Sequence, residues 1–362
     1  MAQEFARPEE VVSHLGAVQA QEYRLMRWAV GMRTRRPSAS AFQEAYDSGR
    51  IIRLHLLRGT WQLVTCEDYP WMLSLCAEKA RRVIEGWMSA NHISISEEEY
   101  GRIREILVRC AGDKGSVTKE DFAQALAERD IVMDDHRLSY HIRMGELAGV
   151  LCSGLLHPMK PTYALISERI RVGGSQPAAD GRLERDEALA LLARKYFRSH
   201  SPATLEDFIW WTGLNINDCK RGIAALGPEL EMVRLNGADF YLHWEARTRG
   251  FRKGNMILLP PYDEYLIGYK SRGFSLPDAH RHRAHNNSGN FYPIVLSDGI
   301  VCGNWKPFTD QLSVELFEDA DSLSASKPQP GQAPSSPAPT GDLTPSPALQ
   351  QAWDNYRLFL KR

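Results

Sequence analysis

The 362-residue sequence has no apolar run near the roughly 20 residues a membrane-crossing helix requires, so no membrane partner is expected. Its opening, MAQEFARPEE, lacks the apolar centre of a secretion signal, which makes a cytoplasmic location the expectation. Cysteine is scattered: Cys66, Cys76, Cys110, Cys152, Cys219 and Cys302 form no CxxC pair and have no histidine in finger spacing. That argues against a disulfide framework and a structural zinc site, and neither a metal nor another cofactor is expected. Large apolar residues are nearly missing from Asp321–Pro347, where proline, serine, glycine and alanine dominate and disorder is expected. Acids are also scarce in one place. Between Tyr23 and Cys66, Glu44 and Asp47 face eight arginines (Arg24, Arg27, Arg33, Arg35, Arg36, Arg50, Arg53 and Arg58), a local balance of +6 in a chain of formal net charge −1. A basic face on an otherwise neutral chain points to an anionic polymer as partner.

What is present reads as helices and short ribbons, in two or three domains by length. Helical spacing predicts Arg7–Gly16, with Pro8 in its first turn, then Glu22–Met32 and Ala41–Ser48, closed by Gly49. Ile51–Leu57 and Thr60–Thr65 read as a hairpin turning at Arg58-Gly59, followed by a helix over Tyr69–Trp87. Helices followed by a two-stranded ribbon is the plan of a winged helix-turn-helix, and it recurs. Glu97–Cys110, a helix opened by the Thr118–Asp121 capping box, and Asp135–Ala148 precede a ribbon of Val150–Cys152 and Thr162–Ile166. Arg185–Phe197, a helix capped by Thr204–Asp207, and Asn217–Leu226 precede one turning at Asn236-Gly237. There is no strict sequence period, so the repeat is one of architecture. Met256–Phe317 is short and strand-like, and a small β-barrel or sheet fits it. The expected fold is mainly α with α+β elements: winged helices at 1–92, 93–175 and 176–248, a β-barrel at 249–320, the insert at 321–347 and a final helix at 348–362.

The basic stretch opens on Gln19-Ala20-Gln21. Side chains two apart diverge by about 200° on a helix but share a side of an extended segment. To act together, the two glutamines must lie in a non-helical junction, which Gly16 permits. A glutamine amide is no base; it can hold a water and present a carbonyl dipole. Such a pair suits only a reaction whose leaving group is already activated. An N7-alkylated purine is cationic, its glycosidic bond is weak, and carbonyl oxygens aimed at the developing sugar cation would stabilise the transition state. Taken alone, the motif is a weak signal.

The surroundings add to it. VVSHLGAVQAQEYRLMRWAVGMR with IIRLHLLRGTWQLVTCEDYPWML, then ARKYFRSHSPATLEDFIWWTGL, and finally ILLPPYDEYLIGYKSR with FYPIVLSDGIVCGNWKPF, resemble the AlkZ-like (YcaQ-related) winged-helix DNA glycosylases over about residues 8–318 and the last helix. The resemblance implies three winged helices and a barrel around a basic cleft, excision of N7-alkylguanine, and unhooking of interstrand crosslinks. The family's catalytic motif is Gln–hydrophobic–Gln or Gln–hydrophobic–Asp. Gln19 and Gln21 match the first form as catalytic residues, and the missing Asp leaves the second form's broader alkylpurine activity in doubt. A nucleoid-associated, monomeric hydrolase of DNA repair acting on alkylated double-stranded DNA follows, with no lyase step, since Lys160 and Lys270 have no recognisable Schiff-base setting.

Several other residues are candidates for DNA contact. Arg24, Arg27, Arg33, Arg35 and Arg36 could meet phosphates or form a solvated charged face. Arg58, Thr60 and Trp61 at the hairpin turn could reach a groove, with Trp61 equally a core residue; Trp210 and Trp211 are more often packing than stacking. Asp263, Tyr265 and Tyr269 alternate as a strand face would and could line the cleft by resemblance; a structural acid is the equal alternative for Asp263. Arg281 and Arg283, with His282 and His285, form a basic loop. Two rivals stand beside the enzyme. One is a non-catalytic winged-helix DNA-binding protein or transcription regulator. The other is a scaffold using the acidic Asp310–Asp321 run and the proline-rich insert.

Overall fold

The structure, a computed structural model, describes residues 4–172, 183–247, 253–317 and 346–362. The insert expected to be disordered lies outside them except for its last two residues, as do the expected domain boundaries near 175 and 248. The fold is mixed α and β and divides into two compact units. The first comprises Met1–Thr248, Asp263–Lys270 and Phe359–Arg362, and the second comprises Arg249–Tyr262 and Ser271–Leu358.

Three times in the first unit, three helices precede an antiparallel ribbon. The first group is α1 (Pro8–Leu15), β1 (Val18–Gln19), α2 (Met26–Gly31), α3 (Ala39–Asp47), β2 (Ile51–His55) and β3 (Trp61–Thr65). A long helix, α4 (Tyr69–Ala90), follows it. The second group is α5 (Glu97–Lys114), α6 (Lys119–Ala127), α7 (Asp135–Leu147), β4 (Leu151–Ser153) and β5 (Tyr163–Leu165), with α8 (Ile166–Val172) after it. The third is α9 (Arg185–His200), α10 (Leu205–Thr212), α11 (Ile216–Leu226), β6 (Leu230–Leu235) and β7 (Ala238–His243).

Local chemistry places the ends. The Ser38 hydroxyl accepts from the Ala41 N–H at 3.1 Å to start α3, and reciprocal Thr–Asp capping boxes open α6 and α10. Gly49 stops α3 at φ +78°, where a Cβ would come 2.3 Å from the Arg169 carbonyl oxygen, so only glycine fits. Strands β2 and β3 are buried almost throughout because each face meets a core. Ile52, Leu54 and Val64 pack with Trp71, Leu192, Tyr196 and Trp211, while Ile51 and Leu63 pack with Val11, Val18, Met26 and Tyr46. That leaves Arg53, His55 and Gln62 no route to water.

In the second unit, β8 (Met256–Leu259), β9 (Ile294–Ser297), β10 (Ile300–Trp305) and β11 (Val314–Leu316) pair antiparallel in the order β11-β10-β9-β8. The β9–β10 turn uses Asp298 and Gly299, both at positive φ. Trp305 packs edge-on against Tyr356 at 4.9 Å, and its indole N–H donates to the Leu259 carbonyl at 2.7 Å. Among the described residues the sheet is open, with β8 and β11 as its edges, where a closed barrel was expected; this is a correction. The edge strands β8 and β11 do not pair with each other, so the sheet does not close. The PPYDEY segment is a second correction. Asp263 is the N-cap of a one-turn helix, α12 (Glu264–Ile267), instead of the start of a strand, because its carboxylate accepts from the Tyr265 N–H at 3.0 Å.

Candidate active site

Gly16, at φ +80°, ends α1 and turns the chain away from helix. Val18 and Gln19 then pair with Leu63 and Gln62 as a third strand on the hairpin, and the Ala20 N–H donates to the Trp61 carbonyl at 2.8 Å. Gln19 therefore leaves an extended strand, and Gln21 follows Ala20 at a bend. Ala20 points the other way and is fully buried among Val18, Tyr23 and Met26. Gln19 is buried at 6% exposure and Gln21 is exposed.

Gln19 is held at both ends. Its side-chain oxygen Oε1 accepts from Arg58 Nη2 at 2.5 Å, and its backbone N–H donates to Glu264 Oε1 at 2.7 Å. Arg58 has only donors, so the amide oxygen must face it, and this settles the orientation of the Gln19 amide. The second nitrogen of Arg58 donates to the Trp211 carbonyl. Glu264 Oε2 accepts the Trp211 indole N–H at 2.9 Å and lies 3.6 Å from His200 Nε2. Burial pushes the Glu264 carboxyl up, but His200, the Gln19 N–H and Arg58 outweigh it and leave the carboxyl below its usual range. Burial pulls the Arg58 guanidinium down, against Glu264 and Tyr196. Beneath the motif, Arg53 is 2% exposed; its Nε and Nη2 donate to the Ala20 carbonyl at 3.1 and 3.0 Å, and its guanidinium lies 3.7 Å from the centre of the Trp61 ring.

The arginine face is smaller than the charge count implies. Arg33 is buried in a bidentate pair with Asp263 (2.8 and 2.7 Å), so the structure contradicts a phosphate role for it and supports the structural reading of Asp263. Arg53 is buried and Arg50 is paired with Glu9 and Glu44. Arg35 and Arg36 are exposed, while Arg24 and Arg27 are half-buried. Arg58 is turned inward onto Gln19 instead of standing at a turn tip. Thr60 closes that turn, donating to the Leu57 carbonyl at 3.0 Å and accepting from Gln62 at 2.8 Å, and half-buried Trp61 packs tilted against His55 at 3.8 Å between ring centres. Tyr265 is half-buried, and the Tyr269 hydroxyl donates to the His200 carbonyl at 2.8 Å. In the second unit Arg281 is exposed, whereas Arg283 pairs with Glu315 and lies over Phe317. Sequence reasoning missed Glu264, His200 and Gln62; nothing short-range marks them, since Glu264 and Gln62 meet Gln19 only through tertiary or cross-strand contact and His200 reaches it only by way of Glu264. A cavity of about 900 Å³ in the first unit reaches Glu264 and His200 and is bounded by Arg7, Glu9, His14 and Arg198, but neither glutamine lines it.

Three comparisons bear on this arrangement. The family model described as DNA glycosylase AlkZ-like matches residues 12–326. An interstrand DNA cross-link repair glycosylase of Streptomyces sahachiroi is 26% identical over 330 residues, 87% of this chain and 86% of that protein. The solved structure of Streptomyces sahachiroi DNA glycosylase AlkZ is similar over 98% of this chain and 91% of that one, with a TM-score of 0.71 and 21% identity, a likeness of fold.

Proposed function

The chain belongs to the AlkZ-like DNA glycosylase family, and from that premise we propose that it hydrolyses the N-glycosidic bond of N7-alkylated purines in double-stranded DNA, crosslinked bases included. As a member of an enzyme family it is a DNA glycosylase, and the regulator reading is not favoured. The cross-link repair activity in the relative's name supports the crosslink part of the proposal.

What supports the mechanism is the strand pairing at Val18–Gln19, an extended start from which residues two apart would share a side, with the small Ala20 locked into the core between the two glutamines. Alkylation at N7 makes the purine cationic. When the C1′–N9 bond breaks, its electron pair stays on the base and neutralises it, and the sugar takes up the positive charge. Water adds its oxygen to C1′ and releases a proton to solvent, because no amide can keep it. Gln21, exposed, holds that water and presents its carbonyl. Gln19, clamped through one lone pair by Arg58, offers the other to the developing cation. A crosslinked base is tethered to both strands and cannot swing into an enclosed pocket, so an open site suits it.

The three helix–ribbon groups are read as winged helix-turn-helix units meeting DNA. Arg24, Arg27, Arg35 and Arg36 are its phosphate contacts in the first, and Arg281 is a further candidate in the second unit. A monomer is the working form. The test is incubation of wild-type and Gln21→Ala protein with duplexes carrying N7-methylguanine or an N7 crosslink, followed by alkaline cleavage of abasic sites. We expect excision by the wild type and about 10²- to 10³-fold slower product formation by the variant. Equal product from both removes the role of Gln21, and rapid release of uracil would refute the requirement for a cationic leaving group.

A further inference from the structure

Gln19 is gripped by groups of opposite charge. A guanidinium holds its amide oxygen, and a buried carboxylate holds its backbone N–H on the far side. The guanidinium poses a difficulty for a reaction in which positive charge builds on a sugar. Arg58 Nη2 lies 2.5 Å from the very oxygen assigned to face that sugar. With the guanidinium held against that oxygen, its charge repels the cation forming on the sugar and slows bond breaking. Something must offset Arg58, and Glu264 is placed to do so: 2% exposed and in contact with Gln19 itself.

We propose that Glu264 is a positioning residue that also acts on the reaction through its charge, offsetting Arg58 so that the Gln19 site tolerates a cationic transition state. The inference rests on the glycosylase mechanism above. The charged and titratable groups around Glu264 fit the role. Arg58 comes from the hairpin turn, His200 from the end of α9 lies 3.6 Å away, and the nearby Arg33 is already committed to Asp263. Trp211 on α10 supplies a neutral N–H at 2.9 Å, which holds the carboxylate without cancelling it. Removing the Glu264 charge would leave Arg58 uncompensated against the substrate. Removing both charges would lift the conflict and leave only looser geometry.

The full-length protein serves for the test, as wild type, Glu264→Gln, and the Arg58→Gln/Glu264→Gln double variant. Excision of N7-methylguanine is measured under single-turnover conditions, alongside affinity for the same duplex, at a temperature where circular dichroism shows each protein folded. Glutamine at 264 keeps the shape and an acceptor for the Gln19 N–H. We expect Glu264→Gln to slow excision about tenfold or more with affinity within about twofold, and the double variant to recover at least about threefold of the lost rate. A purely structural clip predicts the reverse, a double variant slower than either single change. An unchanged rate in Glu264→Gln, or a double variant slower than it, overturns the inference while leaving the glycosylase reading intact. A wild type that releases no alkylated base removes both. Where Glu264→Gln does not fold, Glu264→Asp keeps the charge and is expected within about threefold of wild type; a loss as deep as that of Gln21→Ala overturns the proposal.

Discussion

The first and third helix–ribbon groups are built on one plan and use it oppositely. In the first, β2 is buried along its whole length and β3 nearly so. In the third, β6 and β7 alternate mostly between half-buried and exposed, and Met232 and Trp244 face outward at 63% and 69% exposure. A ribbon with solvent on one face can carry polar residues cheaply, because water satisfies them. A ribbon between two cores cannot, so each of Arg53, His55 and Gln62 is bound to a partner, and Arg53 and Gln62 lie directly against the Gln19–Ala20 backbone or its register partner. The backbone at Gln19 and Ala20 is therefore held by a ribbon that is itself enclosed between two cores.

The sharpest way to break this contrast is Arg53→Met. It leaves the buried Ala20 carbonyl without two charge-assisted donors and removes the contact with Trp61; relief of a desolvated charge offsets part of that loss. We expect a loss of about 2 kcal/mol in urea unfolding together with slower excision. An unfolding midpoint matching wild type would show that the buried ribbon does not depend on its polar network.

Acid should act on the first group next. Burial, with Arg198, His200 and Lys195 nearby, pushes the His14 imidazole down to about 4 from 6.5. At His55 burial outweighs Glu146 and also lowers the pKa. In both cases the unfolded chain takes up a proton while the folded chain stays neutral. Stability is therefore complete above about pH 6.5 and falls as the pH drops below it, the His14 share being spent by about pH 4. Urea midpoints at pH 7.5, 6 and 5 read this directly, and His14→Phe should flatten the slope; a profile unchanged by that substitution would count against it.

The smallest effect belongs to the exposed ribbon. Gly237 turns β6 into β7 at φ +81° with open space around it, so Gly237→Ala meets no clash and pays only for the left-handed backbone, about 1 kcal/mol. Excision should be unaffected by any route other than that loss of stability. A rate change beyond it would show that the third ribbon takes part in the chemistry.

Much of this was legible in the chain. Gly16 and the Gln19–Gln21 spacing forecast a non-helical junction, and β1 is that junction. The Thr118 and Thr204 boxes open helices where expected, and Asn236-Gly237 makes its hairpin turn. These signals are local, decided by a few neighbouring residues. The arginine stretch was less transparent. A count of +6 cannot separate Arg35 and Arg36, which reach solvent, from Arg33 and Arg53, which are enclosed, because enclosure depends on partners such as Asp263, 230 residues away. The PPYDEY segment failed as a strand for a related reason. Alternation drew the eye to Asp263, Tyr265 and Tyr269, whereas Asp263 caps a helix turn and the intervening Glu264 faces Gln19.

By itself the sequence determined the helices and ribbons, the break after α1 and the pairing of two glutamines with a small residue between them, since capping, turn geometry and side-chain alternation act over a handful of residues. Which charges are enclosed, and which of them touch Gln19, was decided only in the tertiary structure. A buried charge persists only where other groups meet it, and Asp263 on Arg33 and Glu264 on Gln19 both come from one turn more than 200 residues away.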